Sequence, residues 1–301
     1  MNVYHVPAML ESVIEGLEIK PDGIYVDLTF GGGGHSREIL KRLNENGKLI
    51  VFDRDDDALK NKFEDKRMIF VKHNFRFIYQ FLRCLGIIPV DGILADLGVS
   101  SHQFDVPERG FSFRFDGDLD MRMNQNSSKT AMKILNSYTE EQLTKIFKIY
   151  GEIPSAGRLA HEIVIFRANQ SISTTKELKE IASKLAPYKD SARFFSQVFQ
   201  SLRIEVNNEL DDLKEMLNSS EKVLKKGGRL AIISYHSLED RMVKNFFRSG
   251  DVNVSETKTD IFGKITTSFK PVVRKPIMPS AQEIEKNPRI RSAKLRICEK
   301  I

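Results

Sequence analysis

Asp27, the run Gly31-Gly32-Gly33-Gly34 and Asp53 have the residue types and spacing of a nucleoside-binding site. Glycines at a strand-to-helix turn let backbone N–H groups approach a ligand that a Cβ would hold away. Asp53, 20 residues beyond Gly33, can accept both hydroxyls of a ribose. Two cofactors suit this pattern, NAD and S-adenosylmethionine. Asp27, four residues before Gly31, favours the second. A carboxylate there repels a pyrophosphate at a helix N-terminus but not the cationic methionine end of S-adenosylmethionine. The third glycine of the dinucleotide fingerprint also falls on Ser36.

These residues need a sheet to position them. Residues 23–29, 48–52, 68–71, 92–95 and 228–234 read as short apolar strands, and 37–43 has helical apolar spacing. In a doubly wound parallel sheet the ligand lies outside the carboxyl ends of the strands. That edge would carry Asn74 and Phe75 beside an adenine, then Asp96, and at the end of the fifth strand Tyr235 and His236. Phe75 has a second reading as a core aromatic. Ser237 is the expected N-cap of the helix that follows, with Glu239 and Asp240 favouring its positive end.

About 130 residues separate the fourth strand from the fifth, whereas a crossover needs roughly a dozen. The excess is expected to be an inserted helical domain over 104–205. Its helices are expected at 140–150, 156–167 and 175–186, with two more within 192–217, and 206–225 returns as the crossover helix. Residues 1–103 and 206–301 then form one discontinuous domain. Placed after Asp96, the insertion has two readings, a cover over a macromolecular substrate that excludes water or a purely structural lobe.

Composition sets the remaining bounds. The chain has 301 residues, 41% hydrophobic and 29% charged, enough for a large core. No apolar run approaches the roughly 18 residues of a membrane helix, and the first thirty residues lack a signal-peptide pattern, so a cytoplasmic protein is expected. Cys84 and Cys298 have no metal-ligand spacing and read as inert thiols. His35 and His73 lack carboxylate or cysteine partners in the sequence, so no metal is expected. Net charge is +6, but residues 241–301 hold 14 Lys+Arg against 6 Asp+Glu, leaving 33 against 35 in residues 1–240. Residues 287–296 space cations between apolar residues as a strand with one wet face would, which suits either a polyanion or plain solvent.

Longer motifs resemble one family, the RsmH (MraW) methyltransferases of bacterial small-subunit ribosomal RNA. They include His5-x-Pro7, Gly33-Gly34-His35-Ser36, Asp53-Arg54-Asp55, and Asp91 through Ser101 apart from Ala95. Others are Gln103, Arg109-Gly110-Phe111-Ser112-Phe113, Leu119-Asp120-Met121-Arg122-Met123, Leu202 to Leu210, His236 to Arg241, and Asn287 to Arg296. The resemblance spans nearly the whole chain. It departs at Asp118, where the family has proline, and at Ile153-Pro154, which replace a charged pair.

The resemblance implies a class I Rossmann-like, S-adenosylmethionine-dependent methyltransferase α/β sheet with an inserted helical substrate-recognition domain. The implied substrate is N4 of a decoding-centre cytidine of 16S rRNA, position 1402, in the small ribosomal subunit. Carried over residue by residue, the cofactor contacts are Gly33, Gly34, His35, Asp53, Phe75, Asp96 and Gln103. Asp96 is the candidate acceptor near the reacting amine, with Tyr235 and His236 as candidates for stacking on the base or taking up its proton. A nicotinamide-dependent oxidoreductase would share the fold, and a non-catalytic ribosome-assembly factor would share the RNA. Monomer and homodimer both stay open.

Overall fold

The structure is a computed structural model that describes residues 7–253 and 267–301. His5, which opens the first family motif, lies outside the described residues. In chain order the sheet region begins with α1 (Leu10–Leu17), β1 (Ile24–Asp27), α2 (Gly34–Arg42), β2 (Lys48–Asp53), α3 (Asp56–Leu59), β3 (Met68–Lys72), α4 (Ile78–Cys84) and β4 (Val90–Asp96). Six helices follow: α5 (Ser101–Asp105), α6 (Ala131–Ser137), α7 (Glu140–Ile149), α8 (Ala156–Asn169), α9 (Thr175–Ser183) and α10 (Ser191–Asn207). Then come α11 (Glu209–Val223), β5 (Leu224–Ser234), α12 (Ser237–Ser249), β6 (Phe269–Pro271), α13 (Ala281–Lys286) and β7 (Lys294–Lys300).

The strands make one sheet in the order β3-β2-β1-β4-β5-β7-β6, with β3 to β5 parallel and β7 antiparallel to both of its neighbours. This is the Rossmann-like α/β sheet expected of a methyltransferase, and its order reverses between β1 and β4. The strands read as continuous apolar runs because both faces are covered. Val26, Ile50, Phe52, Ile93, Ala95, Leu230 and Ile232 pack on one face with Ile78, Leu82, Leu213, Leu217 and Phe246. Their alternating neighbours Tyr25, Leu49, Val51, Leu94, Ala231 and Ile233 pack on the other with Val13, Ile14, Leu17, Ile39 and Leu40. Asp91 and Gly92 serve this packing at the amino edge. The Asp91 carboxylate accepts from Ile24 N at 3.0 Å and pairs with Lys225, while a Cβ on Gly92 would sit 2.8 Å from the Tyr25 ring.

The chain divides into two compact units, Met1–Gly98 with Leu210–Ile301, and Val99–Glu209. The divide lies a few residues outside the 104–205 expected, because α5 already belongs to the second unit and α10 continues to Asn207. The second unit has its own helical core, including Leu135, Phe147, Leu159, Ile163, Leu178 and Leu202. Thr139 and Thr174 each close a capping box with the residue three positions on, Gln142 and Glu177.

In this unit the densest motif charges are internal. Arg122 pairs with Asp120 and donates to the carbonyls of Gln125 and Ser127 at 2.7 and 2.6 Å. Arg109 is buried and donates to Arg122 O at 2.8 Å. Asn207 accepts from Met123 N at 2.8 Å and donates to Met121 O at 2.7 Å, tying the end of α10 to the same loop. Gly110 has φ +68°, and a Cβ there would lie 2.1 Å from Asp118 O, so only glycine fits.

Candidate cofactor site

Four strand ends build the site on the carboxyl edge of the sheet unit. After β1 the chain turns through Gly31 (φ +50°) and Gly33 (φ +73°) into α2, whose N-cap is Gly33. This turn is held by carboxylates. Asp27, 1% exposed, accepts from Ser36 Oγ at 2.6 Å and Thr29 N at 3.1 Å, so it clamps the end of β1 to the first turn of α2. Its charge remains under the loop, but its oxygens are engaged there.

Asp53, ending β2, accepts from Gly31 N at 2.8 Å through Oδ2 and from Asp55 N at 2.9 Å through Oδ1. It therefore shapes the glycine turn, and each oxygen keeps a further lone pair. Burial pushes its carboxyl up to about 6, opposed by those two backbone hydrogen bonds. Asn61 braces the same turn by donating to Gly31 O at 2.9 Å. Phe75 follows β3 in a 3-10 turn capped by Asn74 and is half-buried against the core. Both ends of the Asn74 amide are engaged locally: Oδ1 accepts from Arg76 N at 3.0 Å and Nδ2 donates to Asp212 at 2.6 Å.

Asp96 ends β4 at the point where the strand order reverses. Its backbone N–H donates to Thr29 Oγ1 at 2.8 Å, joining the ends of β1 and β4. Tyr235 OH donates to Asp96 Oδ1 at 2.8 Å, and His35 Nδ1 stands 4.0 Å from Asp96 Oδ2. His35 is buried, with Nε2 donating to Ala8 O at 2.9 Å, which directs Nδ1 toward the carboxylate. Burial and the neighbouring Asp96 charge hold the Tyr235 hydroxyl well above its ordinary pKa. It is a hydrogen-bond donor and not a base. The Tyr235 ring also lies along Gly98, where a Cβ would approach to 3.4 Å.

His236 departs from its expected direction. It, and not Ser237, is the N-cap of α12: Nδ1 accepts from Glu239 N at 3.4 Å, and Nε2 lies 3.2 Å from Glu239 Oε1. Nδ1 is thereby engaged at the helix start, while the buried Nε2 makes no hydrogen bond among the described residues. Glu239 in turn accepts from Tyr235 N and His236 N at 2.9 and 3.3 Å. Gln103 belongs to the other unit, where it closes the capping box of α5 with Ser100.

The set Gly31 to Gly34, Asp53, Phe75 and Asp96 offers a left-handed glycine cradle, a carboxylate with spare acceptor capacity and an aromatic flank, which fits a nucleoside. Residues 2–301 match the MraW methylase family. The chain belongs to that family. Membership decides between the two cofactors in favour of S-adenosylmethionine.

Relatives are similar over almost their full lengths. A ribosomal RNA small subunit methyltransferase H of Flavobacterium johnsoniae is 54% identical over 298 residues, covering 99% of this chain and 98% of the relative. One of Parabacteroides distasonis is 53% identical over 301 residues, covering 100% and 98%. Among solved structures, an rRNA methylase from Streptococcus thermophilus aligns at 14% identity and TM-score 0.41, over 97% of this chain and 95% of that one. Fibrillarin from Aeropyrum pernix aligns at 10% identity and TM-score 0.36, over 93% and 67%.

Residues that sequence reasoning missed are those that hold others in place: Thr29, Asn61 and Asp212. Thr29 lies between two residues already singled out, so its position was a usable signal. Asp212 arrives from 158 residues beyond Arg54, and nothing local marks it.

Proposed function

We propose that this protein methylates N4 of a cytidine in 16S ribosomal RNA of the small subunit, in the cytoplasm. Asp96 carries the reading. It ends β4 where the sheet order reverses, has one oxygen fixed by Tyr235, and sits on the edge that holds the glycine turn and Asp53. The relatives' action on small-subunit ribosomal RNA supports the substrate. No helix among the described residues is long and apolar enough to cross a membrane.

Within the sheet unit, Gly33, Gly34, His35, Asp53, Phe75 and Asp96 would hold the cofactor. When bound, S-adenosylmethionine supplies an electrophilic methyl on a sulfonium, an already activated leaving group. Cytosine N4 is a weak nucleophile because its lone pair is delocalised into the ring. The chain must therefore orient the amine at near-attack distance, roughly 3–3.5 Å, and accept its N–H bonds. Asp96 is the acceptor in this reading. Its carboxylate polarises the amine and takes the proton that N4 sheds after attack, a transfer that favours the carboxylate strongly. Tyr235 is a positioning residue, since its donated hydrogen bond fixes the Asp96 rotamer. His236 supports Tyr235 through the α12 cap.

The base must leave its stack to reach such a crevice, at lowest cost from a single-stranded segment. The helical unit would select RNA shape. Phosphate contacts fall to Arg289 and Arg291, exposed in the short 3-10 helix Pro288–Ser292, and not to the whole segment 287–296. Only Lys294 onward is strand, because Asn287 and Pro288 start the 3-10 turn. Lys294 and Arg296 are bound to Asp240 of α12 at 3.2 and 2.6 Å.

Incubating the protein with methyl-labelled S-adenosylmethionine and unmodified small subunits, then digesting the RNA for mass spectrometry, tests the proposal. N4-methylcytidine is expected. Label on another nucleoside, or none, overturns it.

A further inference from the structure

The Asp212 carboxylate is 1% exposed and holds three donors from two separate loops. Oδ2 accepts from Arg54 Nη1 at 3.0 Å and Asn74 Nδ2 at 2.6 Å, and Oδ1 accepts from Arg76 Nη1 at 3.1 Å. Arg54 directly follows Asp53, while Asn74 and Arg76 flank Phe75. Each contact is thus one residue from a member of the nucleoside site. All lie in the sheet unit, and Asp212 stands in the first turn of α11, whose positive end favours a carboxylate.

We infer that Asp212 is a positioning residue for the cofactor, fixing the β2 and β3 loops at the separation that lets Asp53 and Phe75 engage one adenosine together. The inference rests on the cofactor site proposed above. Stability alone does not require such a group, because a well-packed apolar cluster commonly replaces a buried ion network at no cost. What an apolar side chain cannot do is hold two arginines and an amide at hydrogen-bond distance from one point. The two loops come from different strand ends, and each is stiffened locally: Asn74 caps the Phe75 turn and Asp55 caps α3. Asp212 bonds to side chains of both, and in addition Lys72 at the end of β3 pairs with Asp56 of α3.

The test uses the full chain and titration calorimetry with S-adenosylhomocysteine and with 5′-methylthioadenosine, which lacks the amino-acid end. Asp212→Asn keeps the shape and removes the charge. It is expected to weaken both ligands by about tenfold, a loss of about 1.4 kcal/mol, with the same ratio for each because the defect lies at the adenosine. Asn74→Ser guards against a folding defect. It keeps an acceptor for the Arg76 amide but loses the donor to Asp212, and about a threefold loss on both ligands is expected.

A merely structural role predicts a lower melting temperature with both affinities unchanged at a temperature where the variants are folded. That outcome overturns the inference, as does a loss confined to S-adenosylhomocysteine. Asp53→Asn is measured alongside. If it binds both ligands normally, the site itself is misassigned and the inference falls with it. If Asp53→Asn binds weakly while the Asp212 and Asn74 variants bind normally, this inference alone fails.

Discussion

Lowering pH should weaken cofactor binding through Asp53. The perturbation follows from two facts about that residue: its carboxyl is raised to about 6 by burial, and its proposed task is to accept ribose hydroxyls. A protonated carboxyl loses acceptor capacity, so only the ionised form binds fully. Apparent Kd then scales as one plus the ratio of protonated to ionised enzyme. Binding should be weaker by about 1.1-fold at pH 7, about twofold at pH 6 and about elevenfold at pH 5.

Binding also selects the carboxylate, so at pH 5 about 0.9 proton should be released per ligand bound. Calorimetry with S-adenosylhomocysteine in buffers of different ionisation enthalpy reads both quantities. Asp53→Asn should bind at least about tenfold more weakly at pH 7.5 and show a flat profile from there to pH 5. A wild-type profile that is also flat, or an equal slope in the variant, refutes the argument.

The same group sets a stability trend with the opposite sign to an ordinary paired aspartate. The folded pKa lies above the unfolded value of 3.8, so the native state binds more protons between 3.8 and about 6, and stability falls as pH rises through that window. The full cost is at most about 3 kcal/mol, reduced by solvent at this half-buried site. Ligand should recover part of it, giving a larger thermal shift at pH 7.5 than at pH 5.

Other substitutions probe the remaining assignments. Tyr235→Phe keeps the ring along Gly98 but frees the Asp96 rotamer. Turnover should fall by about tenfold or more, a larger loss than that of cofactor affinity, and a changed affinity with normal turnover would move Tyr235 out of its positioning role. Arg289→Gln with Arg291→Gln should reduce RNA affinity and lower the slope of its salt dependence by about two, measured by filter binding across salt concentrations. Arg296→Met should instead cost about 1 kcal/mol of stability in denaturant unfolding by leaving Asp240 with Lys294 as its remaining cation, with the RNA salt slope unchanged. An altered slope there would return Arg296 to the RNA surface.

Local sequence carried the elements because period and punctuation are local. The strand ends and glycine turn were legible around Asp27, Gly33, Asp53 and Asp96, and the helices over 140–149 and 175–183 announced themselves through capping boxes. Misreadings arose where a side chain's partner is remote or competes with a nearer one. Residues 287–296 looked like one strand because cations alternated with apolar residues, yet Pro288 begins a 3-10 turn and Asp240, 54 residues from Lys294, neutralises the strand end. Ser237 was the expected N-cap of α12, but His236 Nδ1 meets the Glu239 amide and takes that place.

Read along the chain, residue types and spacing placed the sheet and the insertion after Asp96 and favoured a cationic nucleoside cofactor over a pyrophosphate. These depend on residue type, charge and spacing along the chain. The tertiary structure decided what each charged group is free to do. It committed Asp27 to the glycine turn, Arg109 and Arg122 to the helical unit's own loop, and Tyr235 to Asp96, and it brought Asp212 to the two loops of the nucleoside site. A buried polar atom must find a partner, and the fold, which brings distant residues together, determines which partner is within reach.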